Sequence, residues 1–180
     1  MEPVITLEEV VSFLLQTPLF QDLDAEELAD IVMVMQIQRL RDGQVVFREG
    51  SPGDAWFVVY NGECVVTKSS SLGPDRTLAV LPQKACFGEM AVLDGSPRSA
   101  GVTSRGDCTL FKFRRSDFQT LLEEGSLAAY KLIASMARLL CQRQRALTQQ
   151  LGDLMDREDD DGADLLGQIG DMVDEYTVSE

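Results

Sequence analysis

The chain is 180 residues long, enough for one domain of ordinary size with a buried core and short extensions, and its net charge is −14. The charge is uneven: residues 151–180 carry eleven acids and one base (−10), which leaves nineteen acids and fifteen bases (−4) in residues 1–150. A near-balanced body with an acidic tail offers no basic face to nucleic acid and no attraction to an anionic membrane surface.

Thr6, with Glu9 three residues later, is a capping box, and it opens a helix carrying Val10, Phe13 and Leu14. Thr17-Pro18 stops that helix. Asp24 and Glu27 open a second one, with Leu28, Ile31, Val32 and Met35 on the i, i+3, i+4, i+7 stripe. Residues 1–9 lack the basic start and apolar run of a signal peptide, and no stretch approaches membrane-spanning length. A cytoplasmic protein is expected.

From residue 36 to residue 113 the pattern changes. Val45–Phe47, Trp56–Tyr60, Cys64–Thr67, Thr77–Leu81 and Thr109–Phe113 are rich in β-branched and aromatic residues. Turn clusters separate them at Arg41-Asp42-Gly43, at residues 49–54, at Asn61-Gly62 and at residues 69–75. Many short strands at regular intervals read as an antiparallel barrel or jelly roll. With helices on either side, the fold class is α+β: an antiparallel β-roll flanked by N-terminal helices and a long C-terminal helix.

Phe87, Gly88, Glu89, Met90, Ala91, then Pro97, Arg98, Ser99 and Ala100, concentrate the chemistry. Gly88 lets the backbone approach a ligand closely, and Glu89 to Leu93 can form one helical turn whose first N–H groups suit an anion. Arg98, after a Gly-Ser-Pro turn, can fold back and pair a phosphate through two donors. Glu89 is acceptor-only when ionised and suits a sugar hydroxyl.

Ser116 can cap a short helix through Leu122, and Ser126 a longer one to about Leu151. Tyr130, Ile133, Ala137, Leu140, Gln144, Leu147 and Leu151 lie along one side of the longer helix. Residues 158–162 read as a flexible acidic linker, and after it comes a short amphipathic helix with Leu165, Ile169, Met172 and Val173 on its stripe. That helix either docks or is a solvated tail. The expected division is 1–151 for the folded domain with its long helix, and 152–180 for the acidic tail.

The order Phe87-Gly88-Glu89, a short turn, then Pro97-Arg98 and Ala100, resembles the phosphate-binding cassette of the cyclic nucleotide-binding domain family, which includes protein kinase A regulatory subunits and the bacterial catabolite activator protein. Val92 and Leu93 depart from the family's aliphatic pattern there. Pro18-Leu19-Phe20 with Leu23 is similar to the family's P-L-F-x-x-L segment, so the likeness covers about residues 10–150. It implies that Glu89 holds a ribose 2′-hydroxyl and Arg98 a cyclic phosphate. It implies that the long helix closes over the base and, as in the catabolite activator group, pairs two subunits. Met136-Ala137-Arg138 resembles that dimer helix, and matching it places Arg143 and Gln144 nearest the purine. Ser99 after the arginine favours cAMP, with cGMP the alternative.

Three function classes compete: a sensor, a fold kept as an interaction module without ligand, and an enzyme. Loss of ligand usually removes the acid or the arginine, and both are present. The chain has no histidine, so Ser–His and Cys–His catalysis and the commonest metal ligand are absent, and no enzyme activity, metal or cofactor is expected. Cys64, Cys86, Cys108 and Cys141 are scattered singly and read as small apolar fillers. Too few residues remain after the long helix for a helix-turn-helix, so the expectation is a homodimeric sensor of a small cyclic nucleotide. It binds no nucleic acid or membrane and acts on a protein partner that the sequence does not name.

Overall fold

A computed structural model describes residues 4–70 and 73–177, with side chains up to Asp153. Helix α1 (Leu7–Leu15) begins at the expected capping box: Glu9 N–H donates to Thr6 Oγ1 at 3.3 Å and Thr6 N–H to Glu9 Oε2 at 2.7 Å. A 3₁₀ turn over Pro18–Phe20 buries Leu19 and Phe20. The Asp24–Glu27 capping box then opens α2 (Ala25–Met33). This helix stops short of Met35, the last residue of the expected stripe. Met35 instead opens β1 (Met35–Leu40), opposite Phe113, because the next strand-length stretch finds a ladder partner there.

The remaining strands are β2 (Val45–Phe47), β3 (Ala55–Lys68), β4 (Arg76–Leu81), β5 (Cys86–Phe87) and β6 (Gly101–Arg114). All pairings are antiparallel, in the order β1-β6-β3-β4, with β2 also on β6 and β5 on β3. The two 14-residue strands β3 and β6 form the spine. Asn61-Gly62 is not the turn its sequence suggests. The strand runs through it, and β3 pairs with β6 on both sides of a bulge. Gly62 adopts φ +83°, and a Cβ there would stand 2.5 Å from Asp107 O and 2.9 Å from Cys108 Cα. Close backbone approach is what the glycine permits.

Residues 55–60 are apolar without a break because both faces of β3 are covered. Ala55, Phe57, Val59 and Cys64 join Leu40, Phe87, Val102, Cys108 and Leu110 in the core of the roll. Trp56, of the opposite parity, stacks on Phe113 at 4.1 Å and meets Phe20 and Phe118. Helix α4 (Arg115–Glu123) starts one residue before Ser116, whose hydroxyl donates to Asp117 rather than capping the helix. Helix α5 (Leu127–Thr177) starts as expected, with Ala129 N–H donating to Ser126 Oγ at 3.4 Å. Its first turns bury Ala128, Ala129, Leu132 and Met136, and Lys131 Nζ donates to Glu27 Oε2 at 2.8 Å.

The expected end near Leu151 and the acidic linker at 158–162 are both replaced by continuous helix to Thr177. No proline lies beyond Pro97; a glycine costs only about 1 kcal/mol in a helix, and like-charge neighbours a few tenths. The side chains of Leu165, Ile169, Met172 and Val173 lie outside the described residues. The chain divides into two compact units, 1–136 and 137–180, so the division falls inside α5. No helix among the described residues is long and apolar enough to cross a membrane.

Candidate functional site

Strand β5 ends at Phe87, which stacks on Phe57 at 5.3 Å and so anchors the cassette to the core. Gly88 comes next at φ +78°, ψ 4°, turning the chain into helix α3 (Glu89–Asp94), which Gly95 closes at φ +76°. Glycine occupies both positions where a left-handed conformation is required. Ala91 is buried against the 49–54 turn; a Cβ on Gly53 would lie 2.1 Å from the Ala91 Cβ. Strand-like bonds from Arg98 N–H to Ser51 O (2.9 Å) and from Gly50 N–H to Arg98 O (2.8 Å) hold the arginine's backbone on that same turn.

Arg98 is 3% exposed and Glu89 1%. Nη1 of Arg98 donates to Gly88 O at 2.8 Å and Nη2 to Ala55 O at 2.6 Å, while Asp54 Oδ1 stands 3.5 Å from Nη2. The guanidinium carbon lies 4.1 Å above the Phe47 ring. Burial holds the group below the ordinary arginine value, and the charges of Asp54 and Glu89 oppose that shift. Nε is buried and has no hydrogen-bond partner among the described residues. Both nitrogens of the fork expected for phosphate are therefore already bonded to backbone carbonyls, and Nε is the guanidinium nitrogen with no acceptor among the described residues.

The structure thus brings Phe87, Gly88, Glu89, Ala91 and Arg98 into one cradle, with Met90, Pro97 and Ser99 exposed and Ala100 half-buried. Ser99 O accepts from Lys68 Nζ at 2.8 Å, and the same ammonium pairs with Glu49 at 2.6 Å. Arg143 and Gln144 lie on the part of α5 that belongs to the second unit. Phe47, Asp54 and the Ala55 carbonyl were missed in the sequence. The 49–54 stretch signalled a turn, and nothing local marks Asp54 as a partner for a residue 44 positions away.

The cyclic nucleotide-binding domain profile matches residues 37–125, which contain the whole cradle. The N-terminal domain of a transcriptional regulator from Streptomyces coelicolor superimposes with TM-score 0.65 at 31% identity, covering 75% of this chain and 94% of that one. The chain belongs to the cyclic nucleotide-binding domain family. This is a ligand-binding regulatory domain that recurs in otherwise different proteins. The cyclic AMP receptor protein of Thermus thermophilus is 33% identical over 124 residues, 69% of this chain and 57% of that protein. The regulatory domain of Toxoplasma gondii protein kinase A, solved with cAMP, matches with TM-score 0.59 at 30% identity over 66% of this chain and 45% of that one. The family domain is therefore shared, while this chain spans little more than half the length of the Thermus protein.

Proposed function

We propose that this domain is a cAMP-preferring sensor that works as a homodimer and passes the binding event through α5 to a protein partner. The observation that supports this best is Arg98 Nε, buried without an acceptor beside a buried Glu89. A buried charged donor left unpaired is costly, and a cyclic phosphate is an acceptor of the right charge. In this reading Nε and the first N–H groups of α3 hold the phosphate, and Glu89 accepts from the ribose 2′-hydroxyl. Phe87, Gly88, Met90, Ala91, Pro97 and Ala100 shape the backbone around those two groups.

Ser99 next to the arginine, and relatives described as a cyclic AMP receptor protein and a kinase regulatory domain with cAMP, support adenine over guanine. In this reading α5, which carries Arg143 and Gln144, is the element that responds to occupancy. A ligand moves such an element only by binding one arrangement better than the other. Calorimetric titration of the full chain with cAMP and cGMP tests the reading. Saturable binding with cAMP the tighter ligand is expected. Absence of heat and of competition with either nucleotide overturns it.

A further inference from the structure

Cys64 on β3 and Cys108 on β6 are 44 residues apart in sequence, yet their sulfurs are 3.7 Å apart in a buried S–H···S contact. The bulge creates this juxtaposition. Because Gly62 has no side chain, the β6 backbone at Asp107 and Cys108 moves in against β3. Cys64 is 0% and Cys108 2% exposed. Cys108 nevertheless lines a cleft of about 1160 Å³ between α1 and the roll, whose walls include the exposed residues Ser12, Gln16 and Asp107. Of the other two cysteines, Cys141 is exposed, on α5, and Cys86 is buried, on β5.

We infer that Cys64 and Cys108 form a reversible dithiol–disulfide couple, oxidised by a small hydroperoxide that enters through this cleft. Cys108 is the attacking sulfur because it, and not Cys64, lines the cleft through which the oxidant enters. Its thiolate attacks one peroxide oxygen, the O–O bond breaks, and the departing hydroxide takes up the released proton as water. Cys108 is then a sulfenic acid. The Cys64 sulfur next attacks Cys108 Sγ, the S–O bond breaks, and the hydroxyl leaves as a second water with the Cys64 proton. Two electrons pass from the sulfurs to the peroxide. The sulfurs close from 3.7 Å to the ~2 Å of a disulfide. The new bond ties β3 to β6 within the core that also contains Phe57 and Phe87.

The test treats the full chain with hydrogen peroxide, denatures it, alkylates the remaining thiols and identifies peptides by mass spectrometry. A Cys64–Cys108 cross-linked pair is expected, lost on treatment with dithiothreitol, with Cys86 alkylated throughout. A Cys108→Ser variant should leave Cys64 fully alkylated; the wild-type result stands without it if that variant does not fold. Oxidation confined to Cys141, with Cys64 and Cys108 both still alkylated, overturns the proposal. So does a bridge from Cys64 to Cys86 instead.

Discussion

Residue 88 and Arg98 are fitted to one another so closely that only glycine serves: a Cβ at position 88 would stand 2.7 Å from Arg98 Nη1, the atom that donates to Gly88 O at 2.8 Å. Gly88→Ala therefore carries two costs, a strained φ of +78° worth about 1–2 kcal/mol and displacement of the guanidinium. Affinity for cAMP should fall by tenfold or more, taking ~1.4 kcal/mol per tenfold, and calorimetry reads this directly. Full affinity in the variant would mean that the observed Arg98 position is not the one used.

Arg98 should affect stability as well as binding. Its removal leaves the Gly88 and Ala55 carbonyls without their donor, at about 1–3 kcal/mol for each buried group left unpaired. Arg98→Ala should lower both the melting temperature and, by about two orders of magnitude, the affinity. Arg98→Lys, which has a single nitrogen for three tasks, should recover part of the stability and little of the affinity. An unchanged melting curve would contradict the role assigned to the two carbonyl bonds.

Glu89 should discriminate for the ribose hydroxyl. A buried acceptor built for a hydroxyl rejects the analogue that lacks one. The native domain should bind cAMP well above 2′-deoxy-cAMP, and Glu89→Ala should narrow that gap. Competition against a fluorescent cyclic nucleotide measures both ratios, and equal binding by the native protein removes the assignment.

The first turns of α5 belong to the core of the first unit, which ends at Met136. Leu132 and Met136 are both 0% exposed, so Leu132→Ala should cost about 2–5 kcal/mol. A chain ending after Met136 keeps the whole first unit and should still fold, while losing the proposed dimer. Sedimentation and circular dichroism of the truncated chain check both halves of this prediction.

Acid should loosen the domain gradually. Glu9, Glu49 and Asp94 are each held below the ordinary carboxylate value, by bonds from Thr6, from Lys68 and Ser69, and from Ser96 respectively. Their folded values lie below the unfolded ones, so the stability they add is present above the unfolded value, about 4, and is lost as pH falls through the folded values. Glu9 and Asp94 are exposed and Glu49 is half-buried at the surface, so each effect is small. Melting temperature should be flat near neutrality and decline below pH ~4, and Ser96→Ala should weaken the contribution of the cassette turn.

The sequence by itself settled whatever depends on neighbours a few residues away. Thr6 with Glu9 and Asp24 with Glu27 satisfy each other's backbone across three residues, so both helix starts were legible. The cassette's local geometry was legible for the same reason: Gly88, Glu89 and Arg98 fall within eleven residues, and the helical turn after Gly88 forms where the residue types place it. Tertiary structure decided what needs a distant partner. Asn61-Gly62 reads as a hairpin turn until β6 pairs on both sides of it, and Met35 reads as helix until Phe113 lies opposite. Asp54, Ala55 and Phe47 meet the Arg98 guanidinium only because the 49–54 turn packs on α3. Cys64 and Cys108 look like unrelated core fillers in the sequence. A missing side chain at Gly62 is what brings their sulfurs together.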